Sequence, residues 1–203
     1  MAASVRAVIF DIGDVLLFYT GGDKWPQRLG LSDEEFLQGL LASGAIAANA
    51  GTISAEELFR RLGATYHLEG EGLQEFREDV WALQEPNLAL IDFVHRLQRH
   101  YKTATLSNDF PGAREQQNRL FDLENRLGVD VMFYSCEEGL QKPEPAFYLL
   151  ACERLQVQPE EVVFVDNSQT AVQAARELGM AGILFQNTAQ AMAEIQACLA
   201  ASR

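Results

Sequence analysis

Short apolar runs alternate with longer amphipathic segments along most of this 203-residue chain. Five short, mainly apolar runs are typical of buried parallel strands: Val5–Phe10, Thr103–Ser107, Val131–Ser135, Glu161–Asp166 and Ala181–Phe185. Between them, apolar residues at helical spacing predict helices over residues 87–101, 112–127, 143–155, 168–178 and 188–200. Because alternating strands and helices fold into a parallel sheet with helices on both faces, we predict an α/β core.

One long segment interrupts this alternation. Residues 18–31, with their glycines and polar residues, predict a loop or flap. Three helices follow: two begin with capping boxes at Ser32–Glu35 and Ser54–Glu57, and the third spans Glu71–Leu83. We therefore expect no strand between Thr20 and Glu85.

This segment divides the chain into two predicted domains. Residues 1–19 and 86–203 form the α/β core, and residues 20–85 form an all-helical insertion between its first and second strands. Such an insertion would lie as a lid over the carboxyl ends of the strands. Ligands bind at that edge in sheets of this kind.

Composition excludes several classes of function. The formal net charge of −13 argues against a nucleic-acid partner, which requires clustered Lys and Arg. No apolar run approaches the ~20 residues of a membrane helix, and no secretory signal pattern precedes the first strand. The three cysteines have no metal-type spacing and predict reduced thiols in a cytoplasmic protein.

Polar residues stand at or just beyond the ends of four predicted strands. Asp11 follows the first strand, Ser107 ends the second, Asp166 ends the fourth, and Lys142 lies in the loop after the third. Because parallel strands end at one edge of the sheet, these side chains can converge on one pocket. Two carboxylates, a hydroxyl and an ammonium suit a phosphoryl group and a divalent cation, with one carboxylate as nucleophile.

The segments that carry these residues resemble the four motifs of the haloacid dehalogenase (HAD) superfamily: Phe10–Leu16, Thr105–Asn108, Gln141–Pro145 and Val163–Asn167. The inserted helices resemble the C1-type cap of that superfamily. Within it, the chain looks most like the branch that includes the glucose-1-phosphate phosphatases. The resemblance implies a Rossmann-like parallel sheet core with helices on both faces and an inserted all-helical cap.

The resemblance also implies a role for each site residue. Asp11 would be the nucleophile and form an aspartyl-phosphate, and Lys142 would orient the nucleophile and the phosphate. Phosphate binding would involve three polar side chains, Ser107, Asn108 and Lys142. Mg²⁺ would be held by Asp11, the Gly13 carbonyl and Asp166. The expected activity is Mg²⁺-dependent hydrolysis of a small phosphomonoester, such as a sugar 1-phosphate.

Two positions depart from the family pattern. Gly13 stands where most phosphatases of the family carry a second Asp as general acid and base. Loss of such a group typically lowers the rate by ~10²–10⁴-fold. Asp14 is one residue further on and is a candidate substitute. Asn167 replaces the second of two adjacent acids, which should weaken Mg²⁺ binding. We therefore expect a preference for phosphates with good leaving groups.

Two other functions are compatible with these residues. A metal-independent 2-haloacid dehalogenase would share Asp11, Ser107 and Lys142, although Gly13 replaces an aromatic residue common in such enzymes. A non-catalytic binding protein of the same fold is the second alternative, which Gly13 and Asn167 would permit. Magnesium-dependent activity separates both from the phosphatase.

Overall fold

The computed structural model describes residues 4–201, so the outermost residues of the predicted core lie outside the described range. Within it the chain forms seven strands: β1 (Ala7–Phe10), β2 (Leu17–Tyr19), β3 (Gln84–Pro86), β4 (Lys102–Ser107), β5 (Val131–Tyr134), β6 (Val162–Asp166) and β7 (Ala181–Leu184). It also forms twelve helices: α1 (Lys24–Leu29), α2 (Asp33–Ala42), α3 (Ala45–Asn49), α4 (Ala55–Tyr66), α5 (Gly70–Ala82), α6 (Leu88–Leu97), α7 (Ala113–Phe121), α8 (Leu123–Leu127), α9 (Ser135–Glu138), α10 (Pro145–Leu155), α11 (Gln169–Glu177) and α12 (Thr188–Ala201). None of the helices described is both long and apolar enough to cross a membrane.

Five strands form one parallel sheet in the order β5-β4-β1-β6-β7. β1 lies at its centre and is completely buried, so its alternate side chains face two different hydrophobic clusters. Val8 and Phe10 pack with α6, α8 and α12, whereas Ala7 and Ile9 pack with α10 and α11. The predicted α/β core with helices on both faces is confirmed.

The inserted helices α1 to α5 have a hydrophobic cluster of their own, built on Trp25, Leu58, Phe59, Leu62 and Phe76. Both predicted caps form. The Ser32 hydroxyl accepts from the Glu35 N–H, and the Glu35 carboxylate accepts from the Ser32 N–H in return. The Ser54 hydroxyl also caps α4, but the Glu57 carboxylate pairs with Arg60 and Arg61 instead of completing the box.

This helical insertion, called the cap below, packs on the carboxyl end of the sheet. Phe110, three residues beyond the end of β4, contacts the rings of Phe59 and Trp81, with centroids 5.8 and 4.9 Å apart. Gly51 has φ +69° and approaches α9 so closely that a Cβ there would lie 2.2 Å from the Cys136 carbonyl oxygen. The exact division into two domains stays a prediction.

The predictions for the two ends of the cap were wrong in part. Leu17–Tyr19 pairs antiparallel with Gln84–Pro86, so the segment does contain a strand, formed where the chain leaves and re-enters the core. Three residues per strand are too few for an alternating pattern to be recognised. The predicted flap also contains α1, which is stabilised by the T-shaped packing of Trp25 on Phe76.

Two core helices also differ from their predictions. The helix predicted over residues 112–127 breaks at Asp122, which has φ +51°, and the Asn118 side chain accepts from the Glu124 N–H that the break exposes. The helix predicted from Pro143 begins at Pro145. A residue that precedes a proline is disfavoured in helical geometry, and Glu144 is accordingly extended.

Candidate active site

The carboxyl ends of β1, β4 and β6 and the loop before α10 enclose a cavity of about 350 Å³. All six predicted site residues line it: Asp11, Gly13, Ser107, Asn108, Lys142 and Asp166. The sheet itself fixes their positions, since Ser107 and Asp166 end their strands and the Asp11 N–H donates to the Val165 carbonyl at 2.9 Å. The four residues that the sequence placed at this edge, Asp11, Ser107, Lys142 and Asp166, therefore do meet there, and the role of each stays a prediction.

The Lys142 ammonium lies between two carboxylates at the base of this cavity. Its Nζ is 2.7 Å from Asp11 Oδ1 and 2.6 Å from Asp166 Oδ2. The other oxygen of Asp166 accepts from the Ser168 N–H at 2.7 Å. All three charged side chains are buried, so their interaction is screened little by solvent.

Asn108 fixes the loop that carries Lys142. Its Nδ2 donates to the Lys142 carbonyl and its Oδ1 accepts from the Lys142 N–H, both at 2.8 Å. This reciprocal pair holds the backbone of Lys142 against the end of β4. The predicted contact of Asn108 with phosphate stays a prediction, and the observed contacts give the residue a positioning role.

Burial and charge shift the pKa values of this cluster. Burial raises the pKa of the Asp11 carboxyl to about 6; Lys142 opposes the shift and the nearby Asp166 adds to it. Burial lowers the pKa of the Lys142 ammonium, but the two carboxylates more than offset it and the net shift is upward. Lys142 is therefore a fixed positive charge at neutral pH.

The position of Gly13 is open on the cavity side. A Cβ built there would meet no heavy atom within 4 Å, so space remains where most family phosphatases carry a carboxylate. The neighbouring Asp14 does not fill that space, because its Oδ1 accepts from the Tyr19 N–H at 3.0 Å in the short β2 segment. The structure therefore gives no support to Asp14 as a substitute acid.

Sequence reasoning missed one carboxyl in the cavity, Asp109. Its oxygens accept from the Phe110 N–H and from Gln117 Nε2, both at 3.0 Å, and Gln117 in turn accepts from the Tyr134 hydroxyl at 2.7 Å. Burial raises the pKa of Asp109 to about 7, and the negative charge of Asp11 adds to the shift. The sequence did offer one signal for Asp109, namely its position directly after Ser107–Asn108.

The donors at this site fit a small divalent cation. Two buried carboxylates face one ammonium, which leaves a negative charge that a cation would balance. Side chains alone do not complete such a site: among residues 4–201, no three or more His, Cys, Asp or Glu side chains are grouped so that they could hold a metal ion. A Mg²⁺ here would therefore be held by Asp11, Asp166, a backbone carbonyl and water, a set that Mg²⁺ accepts.

The fold and this cluster define a hydrolase of the haloacid dehalogenase type. A sequence profile of the haloacid dehalogenase-like hydrolases matches residues 5–179, and the chain belongs to that family. A chloroplast flavin mononucleotide hydrolase of Arabidopsis thaliana is 44% identical over 188 residues, which cover 89% of this chain and 72% of the relative. The bifunctional epoxide hydrolase 2 of Sus scrofa is 34% identical over 95% of this chain.

The chain spans only 24 to 38% of the length of the three epoxide hydrolases it matches. Among solved structures, the HAD family enzyme BT-2542 of Bacteroides thetaiotaomicron superposes with a TM-score of 0.72 at 19% identity. That match covers 89% of this chain and 94% of the other, whose structure is a complex of the wild-type protein with magnesium and inorganic phosphate. This likeness shows the shared fold. The branch that contains the glucose-1-phosphate phosphatases stays a prediction.

Proposed function

We propose that this protein is a Mg²⁺-dependent phosphatase that hydrolyses small phosphomonoesters through an aspartyl-phosphate on Asp11. The observation that carries the proposal is the buried cluster in which Lys142 pairs with Asp11 and Asp166 beside Ser107. Phosphatases among the relatives and the profile match support the same reaction class. We also propose that the protein is cytoplasmic. All three of its cysteines are free, as expected in a reducing compartment.

The chain's own residues supply most of the proposed chemistry. An Asp11 oxygen attacks phosphorus and the ester oxygen leaves; water then attacks the phosphorus of the aspartyl-phosphate and releases inorganic phosphate. The Lys142 ammonium holds Asp11 in place and neutralises phosphoryl charge, and the Ser107 hydroxyl donates to a phosphoryl oxygen. A bound Mg²⁺, held by Asp11, Asp166 and the Gly13 carbonyl, would add positive charge beside the same oxygens.

The open space at Gly13 supports a preference for particular substrates. Without a carboxyl at this position, the departing oxygen has no proton donor of the usual kind. Phosphates whose leaving group departs without a proton should therefore react fastest, among them sugar 1-phosphates, acyl phosphates and aryl phosphates. Equal turnover of alkyl and aryl monophosphates would contradict this preference.

The test is hydrolysis of p-nitrophenyl phosphate by the full chain, with Mg²⁺ and with EDTA. The phenolate leaves without protonation, so Gly13 does not limit this substrate. We expect metal-dependent release that is lost in Asp11→Asn and kept in Asp14→Asn, a matched control that changes the exposed Asp of the same loop. Release that survives Asp11→Asn would refute the assignment of the nucleophile.

A metal-independent 2-haloacid dehalogenase is the second candidate. The small number of acidic ligands favours it, because an aspartate that attacks carbon needs no cation. Chloride release from 2-chloropropionate in EDTA, without hydrolysis of p-nitrophenyl phosphate, would replace the phosphatase by this alternative. Binding without turnover of either substrate would leave the non-catalytic function.

A further inference from the structure

The cap contains a second cavity, of about 740 Å³, that the proposed chemistry does not use. We call it the cap cavity. Its walls include the buried side chains of Trp25, Leu62 and Phe76, and its rim includes Tyr19 and Leu37, which are exposed by 42% and 51%. Its volume is within the range of about 300–1,000 Å³ typical of small-molecule sites.

A third, smaller cavity of about 90 Å³ shares lining residues with both the active-site cavity and the cap cavity. It is lined by Gly13 and Asp109, which also line the active-site cavity, and by Asp14 and Tyr19, which also line the cap cavity; we call it the passage. Phe110, the residue after Asp109, forms part of the cap cavity wall. A molecule with its phosphate beside Asp11 would therefore have its organic part directed past Gly13 towards the cap.

The lining of the cap cavity selects against charged groups. Its only charged residues are two acids at the edge, Asp14 and Asp33, and no Lys, Arg or His of the described chain lines it. An anionic organic group would be repelled by these acids, and a polar one would find few partners among the aliphatic and aromatic walls. A neutral apolar group would gain from leaving water.

We propose that the cap cavity holds the organic part of the substrate, and that the substrate is a phosphomonoester of a neutral apolar phenol larger than a single phenyl ring. The inference rests on the proposed phosphatase function and narrows its substrate class. If the inference is correct, the absence of a side chain at Gly13 has a second consequence: it leaves the passage open for the organic part of the substrate.

The test compares 4-hexylphenyl phosphate with phenyl phosphate, which share a phenolate leaving group and differ in apolar length. Leu37→Glu places a charge on the rim of the cap cavity. Leu41→Glu is the matched control, because Leu41 is one turn further along α2, is 41% exposed and does not line the cavity. Both positions are exposed, so both variants should fold.

We expect the unaltered chain to have at least a tenfold higher kcat/KM for the hexyl substrate, since each buried methylene contributes about 0.8 kcal/mol, roughly fourfold. Leu37→Glu should reduce that advantage about tenfold, whereas Leu41→Glu should leave it unchanged. Equal kcat/KM for the two substrates, or equal effects of the two variants, would overturn the inference.

Calorimetric titration with 4-hexylphenol separates the inference from the proposed function, because it requires no hydrolysis. If p-nitrophenyl phosphate is not hydrolysed, the phosphatase proposal fails. Binding of 4-hexylphenol that is weakened by Leu37→Glu and not by Leu41→Glu would still assign an apolar ligand to the cap cavity. Absence of that binding would refute the cap cavity as a ligand site.

Discussion

Replacing Gly13 by Asp should give this protein the proton donor that its sequence lacks. A side chain at this position would enter open space, since a Cβ there meets no heavy atom within 4 Å, and the backbone φ is not positive. The backbone carbonyl proposed as a metal ligand is retained. The substitution therefore adds one carboxyl to the active-site cavity, and we expect the variant to fold.

The expected gain depends on the leaving group. A positioned general acid typically contributes ~10²–10⁴-fold, which corresponds to about 3–5 kcal/mol of barrier. An alkoxide requires that proton, so kcat/KM for n-butyl phosphate should rise in Gly13→Asp by about 10²-fold or more. Nitrophenolate leaves unaided, so p-nitrophenyl phosphate should change by less than about tenfold.

The assay measures kcat/KM for both substrates in saturating Mg²⁺. Gly13→Asn is the matched control, because its amide has nearly the same shape as the carboxyl but carries no transferable proton. Equal gains on the two substrates, or equal gains in the Asp and Asn variants, would show that the added carboxyl does not act as a proton donor to the leaving group. Loss of activity on both substrates would show that the space beside Gly13 is not free.

Three further changes test the packing and charge of the molecule. Lys142→Met should lower the free energy of unfolding by about 3–5 kcal/mol in urea, because two buried carboxylates lose their counter-ion. Burial raises the pKa of Asp11 to about 6 even though the charge of Lys142 opposes the shift. Without Lys142, the folded variant binds the Asp11 proton more tightly, so its free energy of unfolding falls as the pH rises. The loss should therefore be larger at pH 8 than at pH 5, and a pH-independent loss would contradict the assignment. Gln117→Leu should cost about 1–3 kcal/mol for the buried Tyr134 hydroxyl that it leaves unpaired, with a smaller cost at the half-buried Asp109 carboxyl, measured in the same way. Gly51→Ala should lower Tm more than Gly70→Ala, since both have positive φ but only the first meets a backbone carbonyl; equal shifts would argue against close packing of the cap on the core.

The core could be predicted because its strands are buried on both faces. Ala7–Phe10 and residues 162–165 are continuous apolar runs, each followed directly by an acid, and the parallel arrangement then brings Asp11 and Asp166 to one edge. The family resemblance implied that Lys142 orients Asp11, and its Nζ lies 2.7 Å from Asp11 Oδ1. The contact of 2.6 Å between Lys142 and Asp166 was not predicted.

What the sequence did not predict depends on contacts between distant residues. The helix that contains Trp25 is stabilised by Phe76, 51 positions further on, and the β2–β3 ribbon joins two segments of three residues. The place of Asp109 after Ser107–Asn108 puts it near the site, but its raised pKa arises from burial and from the negative charge of Asp11, which no local pattern shows. Local patterns carry no information about such tertiary surroundings.

The most direct test of the central claim is a rapid acid quench during turnover of a ³²P-labelled aryl phosphate with Mg²⁺. We predict acid-stable label on the protein, at no more than one phosphate per chain. The label should map to the peptide that contains Asp11 and be absent from Asp11→Asn. Phosphate release at full rate without labelled protein would contradict a covalent aspartyl-phosphate and, with it, the proposed role of Asp11.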